Sequence, residues 1–152
     1  FYPTSLAISK GFDQIVWTDS NSHQKIEEVG TMSIAFRIGD KIVTPMTSDT
    51  ILDSVTRNSV IQVAKDLGIA VEERDIFISE LISEFKSGNL KEIFGCGTAA
   101  VIAPISSFGY KKERFELNKL EESYADQIKN SIVNIQQNLS KDLNSWKYKI
   151  KQ

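Results

Sequence analysis

Three short segments carry residue types that can do chemistry. In Ile26-Glu27-Glu28-Val29-Gly30-Thr31-Met32-Ser33, a carboxylate sits inside a strand-like run, beside a glycine that lets a ligand approach the backbone. Glu28 so placed can hold a protonated ring nitrogen through a charge-assisted hydrogen bond. The plainer alternative is that Glu27 and Glu28 alternate across a strand, one of them exposed. Ser54-Val55-Thr56-Arg57 precedes a helical pattern, so the Val55 and Thr56 amides and the Thr56 hydroxyl stand at the positive end of a helix, a cup for phosphate. The competing reading makes Thr56 an N-cap and nothing more. Gly95-Cys96-Gly97-Thr98-Ala99-Ala100 joins flexible backbone to a hydroxyl, and successive amides in such a turn can form an anion nest. Its alternative is a tight turn between two strands.

The remaining reactive residue types are scarce. One Cys (Cys96) and one His (His23) make neither a disulfide framework, nor a zinc site, nor a Cys-His pair. A reducing, cytoplasmic setting is therefore expected, with His23 solvated in a Ser/Asn-rich loop and Cys96 a small filler. Arg57 either helps to neutralise a phosphate or forms a surface salt bridge. The 152 residues carry 18 Lys+Arg against 20 Asp+Glu, a formal charge of −2. Without a concentrated basic face, neither nucleic acid nor an anionic membrane is expected as a partner. No apolar run approaches the roughly 20 residues that span a bilayer. At 41% apolar residues the chain can bury the core of a single domain, expected over residues 1–152.

Several elements must position these residues. Gln14 to Thr18 reads as a buried strand, and Lys25 to Ile38 as a longer one that turns at Gly39-Asp40 into Lys41 to Thr44, with Pro45 as its end. Val60, Val63, Ala64 and Leu67 follow helical spacing, started by Thr56 or its neighbours and stopped by Gly68. Ile69 to Phe77 reads as a strand, followed by a short helix capped by Ser79 and stopped by Gly88. Leu90 to Ile105 reads as strand, loop at Gly95 to Thr98, then a strand from Ala99 to Ala103 ended by Pro104. Phe108 to Leu117 is a hairpin tipped by Lys111-Lys112-Glu113. Residues 123–141 form the longest helix, striped by Ala125, Ile128, Ile132, Ile135 and Leu139. Trp146, Tyr148 and Ile150 alternate with lysines as a terminal half-buried strand. The class is mixed α and β.

Gly11-Phe12-Asp13-Gln14-Ile15-Val16-Trp17, Glu28-Val29-Gly30-Thr31-Met32, Ile51-Leu52-Asp53-Ser54-Val55-Thr56-Arg57, Val71-Glu72-Glu73-Arg74 and Glu92 to Ala100 follow one another in the order and approximate spacing of branched-chain amino acid aminotransferases. The chain resembles the larger C-terminal domain of these pyridoxal-phosphate enzymes of fold type IV. That resemblance implies an α/β (mixed α+β) fold, a pseudo-barrel of mixed strands flanked by helices, and pyridoxal 5'-phosphate as cofactor. It implies that Glu28 holds the pyridine nitrogen and that Val55, Thr56, Gly97 and Thr98 bind the 5'-phosphate. The Thr98 and Ala99 backbone would receive the substrate carboxylate, with Thr31 and Met32 beside the substrate side chain. Substrates would be leucine, isoleucine or valine and 2-oxoglutarate, and the partner a second copy in a homodimer.

Departures from the family pattern are as specific. Ser54 stands where Gly is common, Ser33 where Asn is usual, and Ala100 and Ala103 where some relatives carry a redox pair of cysteines. The Schiff-base lysine of the family falls upstream of Phe1, and Lys10, beside Gly11 in an expected surface turn, is no substitute. Residue 1 is Phe within the apolar opening Phe1-Tyr2-Pro3, so the expectation is a piece of a longer protein, lacking the small N-terminal domain and inactive by itself. The alternatives are another fold type IV enzyme, a D-amino acid transaminase or aminodeoxychorismate lyase, and a non-catalytic structural module.

Overall fold

Phe36 and Phe94 lie on neighbouring strands, fully buried, one on each face of a sheet that both help to build. The computed structural model describes residues 2–150; Phe1 and the expected upstream lysine lie outside them. In chain order the elements are α1 (Tyr2–Ser9), β1 (Val16–Thr18), β2 (Ile26–Val29), β3 (Met32–Ile38), β4 (Lys41–Thr44), α2 (Val55–Asp66), β5 (Ala70–Glu73) and α3 (Ile78–Lys86). They continue with β6 (Leu90–Gly97), β7 (Val101–Ile105), β8 (Ser107–Tyr110), β9 (Glu113–Glu116) and α4 (Tyr124–Gln136).

The seven-stranded sheet branches at β3. Antiparallel β6 runs along one edge of β3, while β2 and β4 share the other. Parallel β5 adds to β4 after the α2 crossover, which a parallel pairing requires. Alternation along β3 and β6 sends Ala35, Phe94 and Cys96 towards α2 and α4, and Ile34, Phe36 and Ile93 towards α3 and the β8–β9 hairpin. The second face is closed by Phe85, Phe108 and Phe115, edge-on or stacked with centroids 4.8–5.8 Å apart. The class is mixed α+β, as expected.

The three long helices end alike. Gly68, Gly88 and Asn138 take φ of +76°, +75° and +60°, and the amides there and one residue on donate back into the last turn. This Schellman closure favours Gly or Asn because both tolerate the left-handed region. It ends α4 at Gln136, before Leu139, which leaves the apolar stripe and is 71% exposed.

Local expectations fail where pairing decides. Gln14 to Thr18 is not a buried strand: only Val16–Thr18 pairs, at the sheet edge, largely exposed. α1 was not anticipated and buries nothing. Phe77, not Ser79, precedes α3, and makes no side-chain cap. Gly95-Cys96-Gly97 is strand, and the turn falls at 98–100. Pro104 does not end β7, because β7 pairs only with β6 and its outer edge needs no donor. Trp146 to Ile150 forms no strand, and the chain before it is folded locally by Asp142, whose carboxylate accepts from the Asn144 and Lys147 amides.

Candidate functional site

Between Trp17/Glu28 and Thr18/Ile26 the pairing of β1 with β2 slips by one residue, a bulge at Glu27. A bulge turns two successive side chains to one side. Ile26 and Val29 thus both face the α3 core, while Glu27 and Glu28, half-buried, both turn to the loop after β4. Glu27 Oε1 accepts from the Thr50 hydroxyl at 2.8 Å, and Glu28 Oε1 from the Leu52 amide at 3.2 Å. The two glutamates therefore do not alternate. Glu28 keeps a second oxygen that takes no hydrogen bond from the described residues.

The loop tied to Glu28 leads into α2. The Ser54 amide donates back to the Leu52 carbonyl, and Ser54 caps the helix with φ −78° and ψ 130°, so the serine costs no left-handed strain. Its hydroxyl accepts from the Arg57 amide at 3.3 Å. The first i to i−4 bond is Asn58 to Ser54, which leaves the Val55 and Thr56 amides outside the helical ladder. Thr56 is thus not the cap, and its hydroxyl has no partner among the described residues. Arg57 is not at the surface either: it is 2% exposed, donates to the Pro45 carbonyl and to Glu73 at 2.8 Å each, and its Nε has no acceptor.

The third segment reaches the same end of the sheet. Glu28 pairs with Ser33, and Ser33 with Cys96, so the 30–31 and 98–100 turns lie side by side. Thr98 and Ala99 are exposed in their turn. Cys96 is buried, with its thiol pushed up to about 11 by desolvation, against a smaller opposing pull from the Arg57 charge. Its neighbours Gly95 and Gly97 are required by packing: a Cβ on Gly95 would stand 2.8 Å from Met32 Cε, and one on Gly97 3.2 Å from Met32 Cγ. Met32 therefore lies on the face opposite Glu28, beside a largely apolar cavity of about 620 Å³ whose walls include Phe12, Val29 and Phe108 but neither Glu28 nor Thr56. Thr31 stays exposed in its turn.

Glu28, Val55, Thr56, Gly97, Thr98 and Ala99 are thus gathered at one end of the sheet; Met32 is at the same end but turns to the opposite face from Glu28. His23 is exposed in a loop organised by the Asp19 carboxylate, which accepts from the Ser22, Gln24 and Lys25 amides; these bonds hold Asp19 well below the usual carboxylate range. Lys10 is exposed after α1. Sequence reasoning missed the clamp on Gly30, whose amide donates to the Ile15 carbonyl and whose carbonyl accepts from the Trp17 indole at 2.9 Å. The trace of that clamp is the strand-like run at 15–18. A carboxylate bonded to the loop that leads into two free helix-start amides, with two threonine hydroxyls at the same end of the sheet, is a set of groups suited to a phosphorylated heterocycle with a basic ring nitrogen.

The fold defines a mixed α+β class, and comparison with known proteins gives the family: the chain belongs to the amino-transferase class IV family, whose model matches residues 2–108. It is 42% identical over 142 residues to branched-chain-amino-acid aminotransferase 2 of Bacillus subtilis, covering 93% of this chain and 39% of that protein. A probable branched-chain-amino-acid aminotransferase of Staphylococcus aureus (strain N315) is 39% identical over 138 residues, covering 90% of this chain and 38% of that protein. The chain thus spans about 39% of the length of the curated relatives it matches. Among solved structures, the Thermobaculum terrenum branched-chain amino acid aminotransferase in its PLP form superposes with a TM-score of 0.71 at 27% identity, covering 87% of this chain and 40% of that one. The Escherichia coli branched-chain enzyme shares the fold at TM-score 0.76 and 23% identity, over 93% and 43%.

Proposed function

We propose that this chain forms the cofactor-cradling part of a pyridoxal-phosphate-dependent branched-chain amino acid transaminase, which moves an amino group between leucine, isoleucine or valine and 2-oxoglutarate. What carries this reading is the bond from the Leu52 amide to Glu28, which ties a carboxylate to the loop leading into the open start of α2. Pyridoxal phosphate, when bound, supplies an electron sink for the electron pair left at the substrate Cα. Glu28 holds the proton on the ring nitrogen, its other oxygen already oriented by Leu52. The Val55 and Thr56 amides, the Thr56 and Thr98 hydroxyls and the Gly97 backbone bind the phosphate. Thr98 and Ala99 amides receive the substrate carboxylate, and Thr31 stands beside its side chain, while Met32 serves to pack Gly95 and Gly97.

In this proposal the Schiff-base lysine is supplied by sequence preceding Phe1, so the 152-residue chain binds cofactor without catalysing transamination. The whole protein acts as a homodimer in the cytoplasm, where the unpaired thiol of Cys96 suits a reducing setting. Pyridoxal phosphate and inorganic phosphate should both raise the thermal midpoint of the chain, and Glu28→Gln should weaken the former without affecting the latter. Absence of any pyridoxal phosphate binding overturns the proposal. For a protein that includes this chain, L-leucine should be preferred to D-alanine as amino donor; the reverse preference would assign it to the D-amino acid branch of the fold.

A further inference from the structure

Val101 opens β7 with a φ of +59°, a left-handed conformation that a β-branched residue adopts only under constraint. The Ile102 amide donates to the Ala100 carbonyl at 2.7 Å, so Val101 is the centre of a γ-turn of the rare positive-φ kind. In a three-residue hairpin connection, the left-handed position ordinarily falls to Gly. Here the side chain that makes the conformation costly also holds it in place: Val101 packs against the core cluster that contains Ala35, Val60, Phe94 and Ile128. On the exit side, Lys129 of α4 donates to the Ile102 carbonyl at 3.0 Å. The turn cannot relax without drawing Val101 out of that core.

We propose that Val101 is a positioning residue, whose core-anchored γ-turn pre-orders the 98–100 turn, and with it both the Thr98 hydroxyl that takes the cofactor phosphate and the Thr98 and Ala99 amides. The proposal rests on the function proposed above, which gives that hydroxyl and those amides their anions. A glycine would suit the backbone better, yet would leave the turn free to move, so that each binding event had to order it. Strain at this point therefore trades some stability of the chain for a site formed before the ligand arrives.

The test uses the 152-residue chain and two measurements, amide hydrogen exchange without ligand at Ile102, whose bond to the Ala100 carbonyl closes the turn, and calorimetric affinity for pyridoxal phosphate. Val101→Gly should speed exchange at the Ile102 amide and weaken pyridoxal phosphate binding about tenfold. Val63→Ala, which truncates the same core away from the turn, should leave turn exchange and affinity at the native level. Where Val101→Gly fails to fold, Val101→Asn replaces it, since Asn tolerates the left-handed region but forfeits the apolar anchor. Native exchange at the turn, or an affinity within about twofold of the parent, overturns the proposal. If the parent chain binds no pyridoxal phosphate, the proposed function falls, and ligand-free exchange still decides whether Val101 holds the turn.

Discussion

Two helices of this molecule begin in opposite electrostatic states. At the start of α4, the chain supplies its own anion: Glu92 of β6 accepts from the Tyr124 and Ala125 amides at 2.9 and 3.2 Å and from the Ser123 hydroxyl at 2.6 Å. Arg37 completes the arrangement, donating to Glu92 at 3.1 Å and lying 3.6 Å over the Tyr124 ring. At the start of α2 no carboxylate accepts from the Val55 or Thr56 amide among the described residues; Ser54 takes one amide, and two remain at the positive end of the helix. The same unmet donors thus serve two ends. Answered internally they pin a helix to the sheet, and left open they stand available to an anion such as the phosphate of the proposed cofactor.

The sharpest way to break this comparison is to remove the internal anion. Glu92→Ala should cost about 3 kcal/mol or more in urea unfolding, because Arg37 and three α4 donors lose a nearly buried partner together. Glu92→Gln should cost less, since an acceptor oxygen remains. A loss under about 1 kcal/mol for Glu92→Ala would mean that α4 is held by its apolar stripe alone. At α2 the expected effect is smaller and falls on binding. Ser54→Gly should change stability by only a few tenths of a kcal/mol, while the released Arg57 amide raises inorganic phosphate affinity about twofold to threefold in calorimetry. Weaker phosphate binding in that variant would show that the Ser54 hydroxyl is itself a ligand.

The smallest effect concerns Cys96, between the two helices. Its thiol is held from 9.0 up to about 11 in the folded chain, so the folded state keeps its proton where the unfolded state loses it. Stability should therefore fall as pH rises through 9.0 towards about 11, and this contribution should vanish in Cys96→Ala. Urea midpoints measured across that window for both proteins check the sign; a slope identical in the two would place the titration elsewhere.

The hairpins at 39–40 and 111–112, the helix through Val60 and Ala64, and the stripe on α4 were legible because each rests on local chemistry: turn residues, helical spacing, a left-handed stop. So was the family, through motifs in register. The failures share another cause. Gly95 and Gly97 read as a loop because glycine favours turns, but the true reason for them is the Met32 side chain, distant in sequence. Glu27 and Glu28 read as alternating because the bulge depends on how β1 pairs. Trp146 to Ile150 had the alternation of a strand but pairs with none of the described strands.

By itself, the order of residues determined the elements with local causes, the mixed class and the family to which the chain belongs. Only the tertiary structure decided that Glu28 and the open start of α2 share one loop, that Met32 turns to the other face, and that Arg57 is buried. The physical reason is range. Caps, turns and periodicity act over a few residues, whereas register, bulges and the partner of a buried charge are set between strands and helices tens of residues apart.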